Sequence, residues 1–186
     1  MSTVFERPSL WRRLQPIFSG FDLPLLAGLL VLGAMGLVTM YSAGYDNGSR
    51  FADHGRNMLL GLGILFVVAQ VPPQRLAQLA VPLYSLGVAL LVATALFGIT
   101  KKGATRWLNV GVVIQPSELM KIAMPLMLAW WFQKREGQLR ALDFVAAALL
   151  LLVPVGLVVK QPDLGTAILI LSGGLYIIYF AGLSWK

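Results

Sequence analysis

Six apolar runs, each close to the length a helix needs to cross a bilayer, constrain this chain more than any other feature. They lie at about 23–41, 57–71, 79–99, 117–132, 142–159 and 164–183. A hydrocarbon core of about 30 Å takes about 20 apolar residues in helical form, since each residue adds about 1.5 Å. A compact soluble domain of 186 residues could bury one core, but it could not hide several such stretches. With 58% hydrophobic and 12% charged residues, the chain lies outside the balance of soluble domains. The expected fold class is therefore all-α: a polytopic integral membrane helix bundle with six transmembrane helices over 23–183, preceded by a cytoplasmic N-terminal segment at 1–22.

The first run follows Arg7, Arg12 and Arg13, and Ser42-Ala43-Gly44 could pass for a signal-peptidase site. The run is longer than the ~7–15 residues of a signal core, and further spans follow, so it reads as a retained helix. The second run is the shortest, and omitting it would invert everything downstream. Connector charge decides for keeping it, because cytoplasmic connectors carry the excess of Lys and Arg. With six spans and the N-terminus inside, the inner set is Arg7, Arg12, Arg13, Arg75, Lys134, Arg135, Arg140 and Lys186; the outer set is Arg50, Arg56, Lys101, Lys102 and Arg106. That is eight against five, whereas five spans give six against seven.

The net charge of +7 sits in these short connectors, where it suits orientation and anionic lipid headgroups better than nucleic acid. Without cysteine, disulfides and thiolate ligands are excluded, and His54 alone makes no metal cluster. The sequence indicates no cofactor.

Polar residues at the edges of apolar runs are where function is sought, because a charge at the centre of a membrane helix costs ~2.5–3.5 kcal/mol and such residues face one another or a cavity. Glu118 and Lys121, three residues apart at the start of the fourth span, share one helix face and can pair. Lys160-Gln161-Pro162-Asp163-Leu164-Gly165-Thr166 forms a second polar cluster between the fifth and sixth spans, at the same expected side. A purely structural role is available for each: Ser117 capping a helix, Glu118 and Asp163 on helix N-terminal dipoles after Pro116 and Pro162, Lys121 neutralising a carboxylate. Capping is preferred for Ser117, and a polar cavity in the bundle for Glu118, Lys121 and Asp163. Pro125 and Pro154 each remove a backbone hydrogen bond inside a span, while Gly165, Gly173 and Gly174 permit close helix approach. Between the third and fourth spans, Lys101, Lys102, Arg106 and Trp107 face outward, against the positive-inside trend, as an anionic lipid-linked pyrophosphate would require.

Taken together, Gly103-Ala-Thr-Arg106-Trp107-Leu-Asn, then Gln115-Pro116-Ser117-Glu118-Leu-Met-Lys121, then Gln161-Pro162-Asp163-Leu-Gly165-Thr166, resemble the SEDS (shape, elongation, division, sporulation) family over essentially the whole chain, and its elongation members above all. The resemblance implies a glycosyltransferase of the bacterial inner membrane that polymerises lipid II during elongation beside a class B penicillin-binding protein. It also implies about ten spans, of which six are present here, so that the chain is expected to be an N-terminal part, truncated after 186, without the outer loop that carries the family's catalytic aspartate. No catalytic residue is then assigned. Arg106, Glu118, Lys121 and Asp163 are the substrate-cavity candidates, and Arg106 is assigned to pyrophosphate. Trp107, Gln115, Pro116, Ser117, Gln161, Pro162, Gly165 and Thr166 support the motifs. Two other functions use the same features: a flippase carrying lipid II between leaflets, since a translocation path also needs charge inside a bundle, and a non-catalytic partner of a penicillin-binding protein.

Overall fold

The structure, a computed structural model, describes residues 20–43, 48–101 and 103–182. Arg7, Arg12, Arg13, Lys102 and Lys186 lie outside these residues, as does all but the end of the expected N-terminal segment. The chain divides into two compact units at Pro72/Pro73.

The first unit holds two helices, α1 (Leu23–Ala43) and α2 (Gly48–Ala69). They pack on each other, with Met58 lying where a side chain on Gly33 would be. No residue of α1 is buried within the chain, and Leu25, Leu32, Val38, Leu59 and Ile64 are all exposed. Such surfaces are at home in lipid rather than water. The helix α2 begins nine residues before the expected second run, and its polar first turns carry an exposed Arg56–Asp53 pair at 3.5 Å.

The second unit is a helix bundle: α3 (Pro73–Gln78), α4 (Ala80–Phe97), α5 (Pro116–Gln133), α6 (Ala141–Lys160) and α7 (Leu164–Phe180). The helix α5 touches each of the others. Its Met120, Ala123, Met124 and Leu128 meet Leu91 of α4, Leu151 and Val155 of α6 and Ile170 of α7 in the core. Close packing is set by small residues: a Cβ on Gly87 would collide with Met120 Sδ, and one on Gly174 with Leu151 Cδ1. Gly174 thus admits a neighbour as expected, whereas a Cβ on Gly165 would meet nothing and one on Gly173 only an ordinary contact.

Helices run through both internal prolines. Pro154 has no N–H to offer the carbonyl of Leu150, four residues earlier. The hydroxyl of Tyr84 on α4 donates to that carbonyl at 2.9 Å. In a medium without water, such a replacement donor is what lets a proline stay inside a spanning helix.

All-α needs one correction. Residues 99–114 form a three-stranded antiparallel sheet, β1 (Ile99–Lys101), β2 (Ala104–Asn109) and β3 (Val113–Ile114), in the order β1-β2-β3. Ile99, assigned to the third span, pairs with Trp107 instead. The helix ends at Phe97 because Gly98 turns the chain into an extended path, its N–H donating to Thr94 O at 2.9 Å. Gly103 (φ +78°) and Gly111 (φ +93°) occupy turn positions that other residues adopt at a cost. The Asn109 side chain braces the second turn by accepting from the Gly111 N–H at 3.1 Å.

Helices α1, α4 and α6 are long and apolar enough to cross a membrane, and α7 is a shorter apolar helix. Together with the lipid-suited surface of the first unit, they define a multi-pass helical membrane protein.

Candidate polar site at the helix N-termini

The sheet and two helix starts converge on one carboxylate. Asp163 is the N-cap of α7, and its Oδ1 accepts from the Thr166 N–H at 3.4 Å. Its Oδ2 accepts from Gln115 Nε2 at 3.0 Å, and Arg106 Nη1 approaches Oδ1 at 3.8 Å. Gln115 is the residue before α5, and it also donates to Ser117 Oγ at 3.2 Å. Arg106, on β2, donates from Nε to Gln161 O at 3.2 Å and from Nη2 to Pro162 O. Buried Gln161 donates from its side chain to Leu91 O of α4 at 3.2 Å. One knot of side chains therefore ties β2, the N-termini of α5 and α7 and the body of α4.

Its electrostatics follow from placement. Asp163 is buried and sits where unpaired helix N–H groups favour negative charge. A buried carboxylate needs compensation, and this one has an amide and a backbone N–H as donors and a guanidinium as its ion-pair partner. Among the described residues no buried side-chain nitrogen or oxygen lacks a partner.

Glu118 and Lys121 do pair, at 2.8 Å, one turn into α5. No hydrogen bond or ion pair joins them to Asp163 among the described residues, and the Glu118 side chain is 57% exposed. The motifs of the two polar clusters meet through Gln115, not through Glu118. Ser117, expected as a cap, is instead inside the first turn: Gln115 is the N-cap, Pro116 is the first helical residue, and the Ser117 hydroxyl accepts from Gln115. Pro162 precedes the N-cap of α7 and contributes its carbonyl to Arg106. Trp107 pairs with Ile99 in the sheet, beside Arg106. Gly165 and Thr166 form the first turn of α7.

Three partners escaped sequence reasoning: Thr105, whose hydroxyl bonds that of Thr100 at 2.8 Å across the hairpin; Leu91, through its carbonyl; and Tyr84. Only Tyr84 carried a signal, since Pro154 leaves a carbonyl in want of a donor. No group of three or more metal-ligating side chains occurs among the described residues.

Comparison with known proteins narrows the class. Residues 19–186 match the FtsW/RodA/SpoVE cell cycle protein family, and the chain belongs to that family. Peptidoglycan glycosyltransferase MrdB of Escherichia coli is 41% identical over 163 residues, covering 87% of this chain and 43% of the relative. Peptidoglycan glycosyltransferase RodA of Treponema pallidum is 30% identical over 170 residues, 88% of this chain and 39% of the relative. The crystal structure of the Thermus thermophilus rod shape determining protein RodA matches with a TM-score of 0.73 at 33% identity, covering 89% of this chain and 55% of that one. A peptidoglycan synthase complex that coordinates polymerization and crosslinking matches with a TM-score of 0.74 at 34% identity, over 89% of this chain and 49% of the matched one. The chain thus spans less than half the length of the curated relatives it matches and is RodA-like in sequence and fold.

Proposed function

We propose that this chain forms part of a peptidoglycan glycosyltransferase that polymerises lipid II in the bacterial inner membrane during cell elongation, with its N-terminus in the cytoplasm. The observation that carries the reading is the Arg106–Gln115–Asp163 knot, in a chain whose relatives carry that activity in their names. Similarity to a peptidoglycan synthase complex supports a class B penicillin-binding protein as partner. Six spans of a fold of about ten remain our reading of the membrane topology, supported by a helix at each expected run.

The reaction joins an acceptor sugar hydroxyl to the anomeric carbon of the donor while the bond to the lipid pyrophosphate breaks and the hydroxyl proton passes to a base. No residue of this chain is assigned as that base. Developing charge on the departing pyrophosphate needs fixed donors. Arg106 is held in place by its contacts to Asp163, Gln161 and Pro162, and a guanidinium has more N–H groups than these contacts use. We assign the remainder to the pyrophosphate. Exposed Glu118 and half-buried Lys121, one turn into α5, are assigned to the polar surface that meets the substrate's headgroup.

The test is polymerisation of lipid II in vesicles by the full-length protein that contains this chain. Lys121→Ala and Glu118→Gln should each lower glycan output at least ~10-fold, the scale of one lost charge-assisted hydrogen bond to the headgroup. Unchanged glycan output from both variants, or transfer of lipid II between leaflets without polymer, contradicts the reading.

A further inference from the structure

At the opposite end of the second unit, α5, α6 and the turn between them build a different arrangement. The Arg135 guanidinium sits over the Trp131 ring, its Cζ 3.4 Å from the centroid, and its Nε donates to Asp143 Oδ1 at 2.9 Å. Trp131 Nε1 donates to Asp143 O at 3.1 Å, and Lys134 sits 4.8 Å over the Trp130 ring. Asp143 is therefore neutralised, and its Oδ2 also accepts from the Arg140 N–H at 2.9 Å. Neither Lys134 nor Arg140 has a carboxylate partner among the described residues. Arg75, on α3 against α5, adds a cation to this end, and Glu136 is the remaining carboxylate of the turn.

Directly below Trp131 an open groove of about 290 Å³ runs between α4 and α6, lined by Tyr84, Trp131, Ala146, Leu149, Leu150 and Val153. The Tyr84 hydroxyl, which could have made it polar, is committed to Leu150 O. At about 1.5 Å per residue, Val153 lies roughly 18 Å along α6 from Ala141, close to the ~15 Å half-thickness of a hydrocarbon core. The groove thus begins at an aromatic and cationic rim and ends near mid-membrane.

We propose that this groove seats one acyl chain of an anionic phospholipid whose phosphate is held at the rim by Lys134 and Arg140, with Arg135 and Trp131 as its roof. Three features favour a lipid with a negative headgroup: two cations without a carboxylate partner on the turn that follows Trp131, the absence of charge in the lining, and a depth that matches one leaflet. The inference rests on the membrane-spanning reading of α4 and α6 and is independent of the glycosyltransferase assignment.

The test uses the full-length protein in vesicles of phosphatidylcholine carrying a small fraction of brominated lipid, whose bromines quench nearby tryptophan. Trp131 fluorescence is taken as the difference between the parent protein and Trp131→Phe. Brominated phosphatidylglycerol should quench it at a lower mole fraction than brominated phosphatidylcholine. Lys134→Ala combined with Arg140→Ala should remove that preference, at roughly five-fold per cation. Ala146→Phe, which fills the groove while leaving the rim intact, should reduce quenching by both lipids. Equal quenching by the two lipids in the parent, or a preference that survives loss of both cations, overturns the proposal.

Discussion

Two arginine–aspartate pairs stand at helix N-termini at opposite ends of the same bundle, and they do different things. Asp143, at the start of α6, is served from nearby in sequence: by Arg135 and by the Arg140 N–H. Asp163, at the start of α7, is served from Gln115 and Arg106, so its partners arrive from a strand and from another helix start. Both set a guanidinium against a carboxylate, at 2.9 Å for Asp143 and 3.8 Å for Asp163. The first closes a turn, whereas the second fixes how separate elements meet, and only an arrangement of the second kind can hold polar groups in register for a substrate.

Substitutions can break this contrast in order of expected effect. Asp163→Ala strands a partly buried guanidinium and removes a cap; we expect a loss of about 3 kcal/mol, measured by denaturant unfolding of the full-length protein in detergent. Asp143→Ala should cost only about 1–2 kcal/mol in the same assay, because Arg135 keeps its place over the Trp131 ring and its bond to the Trp131 carbonyl when the carboxylate is gone. A reversed order would show that the local pair is the structural one. Tyr84→Phe leaves the Leu150 carbonyl unpaired and should cost about 1–2 kcal/mol; restoring the missing N–H with Pro154→Ala should recover most of it. Glu118→Gln should change stability by under about 0.5 kcal/mol, since Glu118 is exposed and the pair it breaks is local, even though it is expected to lower polymerisation.

How much of this could be read in the sequence follows the same division. Apolar runs announced the helices, because burial in lipid imposes a length and a composition that no loop satisfies. Local pairs were legible too: the spacing of Glu118 and Lys121 dictates a shared helix face. The sheet at 99–114 was not, since strands this short carry no alternating apolar pattern and lie in a connector read only for its charge. The Ser117 cap failed because Pro116 takes the first helical position and moves the cap back to Gln115. Meeting of Arg106 with Asp163 needs the bundle itself, because no periodicity within one segment can place a strand residue on another helix's N-cap.

The most direct test of the account is lipid II polymerisation by the full-length protein carrying Asp163→Asn or Asp143→Asn, each compared with the parent at equal folded fraction. We predict at least a ~100-fold loss for Asp163→Asn, as expected when preorganised donors lose their anchor, and less than about a three-fold change for Asp143→Asn. Equal activities in the two variants would contradict the claim that the Asp163 knot is the functional end of this bundle.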